Sequence, residues 1–252
     1  KRIFPEDKQY LRWGVFKDKP AEVMYKIVSE EVFTFIKTLH ADKDSAYSKY
    51  MSDAIFIIPT PQMLEKIVTG LSALPLDERD TKGDLYEYLL SKISQSGTNG
   101  QFRTPRHIIK MMVELMQPSP QDIICDPAAG SAGFLVNAGD YLRENHSDLF
   151  YVQDLRNHFN NTMFYGYDMD RTMLRIGAMN MMLHGVDNPN IDYRDSLSEQ
   201  NTDIGKYTLV MTNPPFKGSL DYNAVSKDLL QLTKTKKTEL LFLTLFLRIL
   251  KT

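Results

Sequence analysis

Apolar residues in the first third of the chain recur at helical spacing. They fall at Val23, Ile27, Val28, Phe33 and Ile36 across 21–37, and at Met63, Leu64, Ile67, Val68 and Leu71 further on. Each stretch predicts a helix with one face turned toward a core. Pro59, Thr60 and Pro61 can open the second helix, because proline's fixed φ and missing N–H suit a first helical turn. A third helix is expected over 84–93 on Leu85, Tyr86, Leu89 and Leu90, and the polar, glycine-bearing run 94–100 ends it.

Beyond Gly100 the pattern changes. Short apolar runs at 122–125, 163–167, 191–194 and 207–211 alternate with helical patterns at 134–142 and 172–184. This alternation predicts an α/β domain with a parallel sheet and crossover helices. The expected organisation is a helical domain over 1–96 and a Rossmann-like α/β domain over 97–252. Residues 217–237 are polar, with Lys227, Lys234, Lys236 and Lys237, and read as a long loop leading into a closing helix over 239–251. The chain opens on Lys1, and its closing apolar run stops with no following strand. Both ends therefore read as cut, and the second domain as incomplete at its C-terminal end.

A chain of 252 residues, 42% of them hydrophobic, can bury one substantial core and a smaller satellite. The formal net charge of -2 provides no global basic field, so any grip on nucleic acid is local or comes from a partner. The single cysteine, Cys125, excludes an internal disulfide, and the five histidines show no metal-ligand spacing, so no metal site is expected. No apolar run approaches the roughly 20 residues that span a bilayer. The expectation is a soluble, cytoplasmic protein.

Four segments carry candidate chemistry. The strand predicted at 122–125 ends in Asp126, and a small-residue loop follows through Pro127, Ala128, Gly130, Ser131, Ala132 and Gly133 into a helix opening near Phe134. Small residues let a backbone approach a ligand, and the helix N-terminus presents unpaired N–H groups to it. The loop lacks the G-x-G-x-x-G spacing of a dinucleotide site. The next strand ends at Asp168, placed to accept from ribose hydroxyls, while Asp170 reads as the cap of the following helix. Asp195 closes a third unit and can accept from an adenine amino group. A fourth strand runs into Asn213, Pro214, Pro215 and Phe216: an amide and stiffened backbone carbonyls can accept two hydrogen bonds from an –NH2 group, and an aromatic face can stack on a planar base.

Together the segments 126–133 and 213–216 resemble the cofactor and catalytic motifs of amino-group DNA methyltransferases. Gln101, Phe102, Arg103, Thr104, Pro105 and Arg106 precede the glycine loop, as in the N6-adenine enzymes whose methionine-binding segment comes first. With an N-terminal helical domain and the segment 234–243, the chain is similar to the modification subunits of type I restriction-modification systems. That resemblance implies S-adenosylmethionine as cofactor and the N6 of a flipped-out adenine in double-stranded DNA as acceptor. It places 101–106 at the methionine moiety, Asp126, Pro127, Ala128 and Gly130 to Phe134 along the cofactor, Asp168 at its ribose and Asp195 at its adenine. Asn213 is placed at both cofactor and target base, with Pro214, Pro215 and Phe216 at the base. It also implies a specificity subunit, with two modification subunits to each, and a restriction subunit as partners, and no membrane. Two other readings stay open: methyl transfer to an amino or amide group of RNA or protein, and an inactive cofactor-binding assembly subunit. A nicotinamide dehydrogenase lacks the required glycine spacing.

Overall fold

A computed structural model describes residues 4–38, 46–52, 54–74, 85, 86, 88, 104–216 and 222–252. The chain divides into two compact units, 1–82 and 83–252. The polar run 94–100 lies outside the described residues. Of the helix expected over 84–93, Leu85, Tyr86 and Tyr88 are described, and all three are helical.

In the first unit the helix expected over 21–37 is present, but in three consecutive parts: an α segment Ala21–Lys26, a π segment Ile27–Val32 and an α segment Phe33–Thr38. The wider π turn shifts the helical register. Met24, Val28 and Phe35 form the buried side, and Val23, expected on the core face, is exposed. Helix Pro61–Ser72 starts as the sequence predicts, with proline in its first turn and the Thr60 side chain accepting from the Met63 N–H at 3.3 Å. Leu64 and Val68 pack with Met24, Val28 and Phe16 in the core, while Met63 and Ile67 flank that face and remain exposed.

The second unit is a four-stranded parallel sheet of β1 (Ile124–Asp126), β2 (Phe164–Asp168), β3 (Asn190–Tyr193) and β4 (Leu209–Val210), in the order β3-β2-β1-β4. Its helices are α1 (Arg106–Met116), α2 (Gly133–Asn145), α3 (Gln153–Asn161), α4 (Arg171–Leu183), α5 (Lys227–Leu232) and α6 (Thr238–Ile249). Side-chain alternation along the strands gives each face its own core. Cys125 and Tyr167 pack with Tyr207, Leu229, Leu241, Leu245 and Ile249 under α5 and α6. On the other face Phe164 meets Phe159 of α3 edge to face at 5.2 Å, and Gly166 lies against Leu135 of α2 and Ile191 of β3. The sheet thus has helices on both faces, as the strand–helix alternation requires.

In the second unit the structure also differs from the sequence reading. Residues 217–237 are not one continuous loop: α5 forms within them because Val225, Ser226 and Leu229 are buried, and Arg248 of α6 reaches Asp228 at 3.0 Å. The closing helix is followed by pairing, since Leu250 bridges Tyr207 in parallel and the Lys251 N–H donates to the Tyr207 carbonyl at 2.8 Å. Helices α1 and α3 were not anticipated. Among the described residues no helix is long and apolar enough to cross a membrane.

At Gly166 sheet and helix approach each other closely. A Cβ there would lie 2.7 Å from Ile191 Cδ1, 3.0 Å from Ala129 Cβ and 3.1 Å from Leu135 Cδ1. Gly166→Ala is therefore an overpacking substitution between sheet and helix, expected to destabilise by about 1–3 kcal/mol. Urea unfolding checks this: the midpoint should fall with an unchanged slope.

Candidate active site

Strand register brings the candidate residues to one edge. Asp126 pairs with Gly166 and Asp168 with Tyr193, while the Met211 N–H continues the β1–β4 ladder by donating to the Cys125 carbonyl at 3.1 Å. All four strands point the same way. Asp126, Asp168, Asp195 and Asn213, each at or just beyond a strand's end, therefore emerge at one edge of the sheet. The chain runs from β1 outward to β2 and β3, then returns to β4 on the other side of β1. The crevice at such a reversal, outside the carboxyl ends of the strands, is where open α/β sheets bind ligands.

The turn after β1 is held from three directions. Gly130 adopts φ +50, a conformation that glycine takes without strain, and its N–H donates to Asp168 Oδ2 at 2.9 Å. The Ser131 carbonyl accepts from Nδ2 of buried Asn180 in α4 at 2.9 Å, and the Pro127 carbonyl accepts from the Ser196 hydroxyl at 2.6 Å. Ala132 is held at φ +62 as the residue before α2, a strained value for a residue with a Cβ. A Cβ built at Gly130 would meet nothing within 4 Å, so the turn's outer surface is open. Strained, over-determined backbone beside open space suits a ligand cradle.

Asp126 is buried, and its Oδ1 accepts from the Ala128 N–H at 3.1 Å. Burial pushes its carboxyl from the ordinary 3.8 up to about 7, and the Asp168 charge adds to the rise. The Ala128 N–H and the nearby Thr212 hydroxyl oppose it, although Thr212 Oγ1 completes no hydrogen bond of good geometry and is left buried without a partner. Asp168 is half-buried, and its Oδ1 accepts from the Asp170 N–H at 2.9 Å. Each of its oxygens keeps a lone pair for a ligand hydroxyl. Asp170 caps α4, accepting from the Thr172 and Met173 N–H groups at 2.8 and 3.3 Å. Asp195 is half-buried, with Oδ1 accepting from the Leu197 N–H at 3.1 Å.

Asn213 and Pro214 are half-buried, and Pro215 is exposed. The Asn213 side chain makes no hydrogen bond to another described residue, and Phe216 is 68% exposed, so an amide and an aromatic face are both available at the edge. Thr104, Pro105 and Arg106 lead into α1, whose Ile109 packs against Gly133 in the first turn of α2; the start of α1 thereby lies beside the glycine turn. Gln101, Phe102 and Arg103 lie outside the described residues. Among the described residues no three His, Cys, Asp or Glu side chains group as metal ligands.

Sequence reasoning missed Asn180 and Ser196, which brace the turn, and Met169, exposed directly after Asp168. The first two carried no local signal, because their partners are 49 and 69 residues away.

A doubly wound parallel sheet with helices on both faces is the architecture of the Rossmann-like methyltransferases. The comparisons agree. The family model described as N-6 DNA Methylase matches residues 77–252, and the chain belongs to that family. The EcoEI methylase subunit of a type I restriction enzyme from Escherichia coli is 27% identical over 261 residues, covering 98% of this chain and 52% of that protein. The StySJI methylase subunit from Salmonella typhimurium is 33% identical over 184 residues, covering 66% of this chain and 34% of that protein. The type I restriction-modification methyltransferase subunit from Streptococcus thermophilus superposes with a TM-score of 0.71 at 20% identity, over 96% of this chain and 53% of that one. The chain thus spans about half or less of the length of these relatives.

The raised Asp126 carboxyl gives a signed expectation. A native-state value of about 7 against 3.8 unfolded means that the folded protein binds the extra proton between these values, so this group's contribution falls as pH rises through that window. Thermal melting of wild type and Asp126→Asn from pH 4 to 8 should show the amide variant gaining relative stability toward pH 7, with the difference levelling off above it.

Proposed function

We propose that the chain is the catalytic core of a DNA adenine-N6 methyltransferase, the modification subunit of a type I restriction-modification system. The observation that carries this reading is the meeting of Asn213, Pro214 and Phe216 with the Asp126–Asp168–Asp195 edge across the β1/β4 reversal. Family membership over 77–252 supports the same chemistry.

S-adenosylmethionine supplies an electrophilic methyl group on a sulfonium. The residues present fit it: Asp168 retains acceptor capacity for ribose hydroxyls, Asp195 for the adenine amino group, and Met169 offers an exposed apolar side chain beside them. Gly130 leaves room over the turn, and buried Asp126 is placed to answer the cofactor's positive charge. Thr104 to Arg106 and, ahead of them, Gln101 to Arg103 take the methionine end.

The adenine amino nitrogen is a poor nucleophile because its lone pair is delocalised into the ring. The Asn213 amide oxygen and the Pro214 carbonyl would accept hydrogen bonds from its two N–H groups, favouring a more tetrahedral nitrogen with an available lone pair. Proline at 214 and 215 stiffens the backbone that carries those acceptors, so the rate gain comes from alignment. Flipping the base from the duplex costs about a few kcal/mol, and stacking on Phe216 recovers part of it.

With a formal net charge of only -2, the chain gains its sequence-specific grip on double-stranded DNA from a specificity subunit, two modification subunits serving each, and a restriction subunit completes the assembly. Acting there on DNA, it works in the cytoplasm.

Labelled S-adenosylmethionine and DNA carrying the cognate site, with and without the specificity subunit, test the reading. Label should appear as N6-methyladenine only with the partner, and Asn213→Ala should lose about 10²–10³-fold in kcat. Label in RNA or protein instead, or cofactor binding with no transfer at all, would replace this reading with an RNA or protein methyltransferase or an assembly subunit.

A further inference from the structure

The segment from Arg194 to Asp203 is braced beyond what a surface connection needs. Ser196, 5% exposed, donates from its hydroxyl to the Pro127 carbonyl at 2.6 Å and so ties this segment to the glycine turn. Asn201, equally buried, donates to the Ser196 carbonyl at 2.8 Å and accepts from Arg194 Nη1 at 3.3 Å and from the Asp203 N–H at 3.2 Å. Arg194 reaches Asp203 Oδ2 at 2.5 Å and lies over the Tyr167 ring at 3.8 Å, and its backbone N–H donates to the Asp168 carbonyl at 3.1 Å. Asp203 also accepts from the Tyr207 hydroxyl at 2.6 Å and from Lys206 at 3.2 Å. From α6, Arg248 Nη2 donates to the Asn201 carbonyl at 3.0 Å.

These bonds share one geometric result. Asp195 sits between Arg194 and Ser196, so the frame holds it relative to Pro127, next to Asp126, and relative to Asp168. We infer that Ser196, Asn201, Arg194 and Asp203 are positioning residues that set the separation of the three acids at the sheet edge before the cofactor arrives. The inference deepens the proposed function and rests on its cofactor assignment, but not on the methyl acceptor.

Removing the Ser196 hydroxyl leaves the buried Pro127 carbonyl without its donor and frees the turn from the Asp195 segment. Ligand binding must then supply the ordering that the frame supplies in advance, which weakens affinity without changing the aligned reacting atoms. One lost buried hydrogen bond corresponds to roughly tenfold in a binding constant.

The test is calorimetric binding of S-adenosylhomocysteine to the purified full-length protein, comparing wild type, Ser196→Ala and Asp203→Asn. His158→Ala is the control, because His158 braces the opposite edge of the sheet through the Asp122 carbonyl at 2.8 Å. The expected result is a Kd raised about tenfold in both frame variants, with KM for S-adenosylmethionine, measured on DNA with the specificity subunit present, rising in parallel and kcat at saturation within about twofold. His158→Ala should lower the melting temperature and leave Kd unchanged. Should Ser196→Ala fail to fold, Asp203→Asn, which keeps the side chain's shape, carries the comparison. A Kd within twofold of wild type in the folded frame variants overturns the inference. Wild-type protein that binds the ligand but methylates no DNA even with the specificity subunit present overturns only the acceptor assignment, whereas wild type that binds no ligand overturns the cofactor assignment and the inference with it.

Discussion

The hydrogen bond from the Gly130 N–H to the Asp168 carboxylate is the link on which the rest of the site depends. It joins the turn after β1 to the end of β2, and it requires the left-handed backbone at Gly130. With both carboxylate oxygens committed to backbone N–H groups, Asp168 has a fixed orientation before any ligand is present. The same acid then stabilises the turn and faces the crevice. A residue with both duties offers little tolerance: shortening, lengthening or neutralising it disturbs the turn together with the end of β2.

The sheet edge is divided by chemistry. On the β2 and β3 side of β1 stand acceptors already oriented by backbone groups, which suits recognition of hydroxyl and amino donors. On the β4 side stands Asn213, whose amide is uncommitted among the described residues, followed by two prolines and an exposed aromatic. Asp126 lies at the division, buried deeply enough that its charge is costly without a cation nearby. Under the proposed function, the cationic methyl donor would lie on one side and the flat amino-bearing base on the other.

Packing on the second face serves this edge as well. Tyr167 and Tyr207 share a hydrogen bond at 2.8 Å beneath the sheet, and burial pushes both phenols well above their ordinary range, so they act as neutral donors and acceptors. Burial opposes the charge on Asp203, but bonds from Tyr207 and Arg194, with the Arg194 and Lys206 charges, outweigh it and hold the carboxyl below its ordinary value. The network stays polar and satisfied in a mostly apolar layer, where each bond is stronger than in water and an unpaired member would be expensive.

What the sequence by itself determined is local and periodic. Alternation of short apolar runs with helical patterns specifies strands joined by crossover helices, and a small-residue turn after an acid, or an asparagine followed by two prolines, is chemistry confined to a few neighbouring residues. Asp170 could be assigned as a cap for the same reason, since its partners are two and three residues away. Tertiary structure decided whatever depends on distant partners. The π turn at Ile27–Val32 rotates a helix face that simple periodicity places elsewhere, and α5 forms in a polar stretch because Leu229 finds a core that other segments build. The Gly130–Asp168 and Ser196–Pro127 bonds span 38 and 69 residues. No spacing rule encodes them, because they exist only once parallel register has brought the strand ends to a common edge.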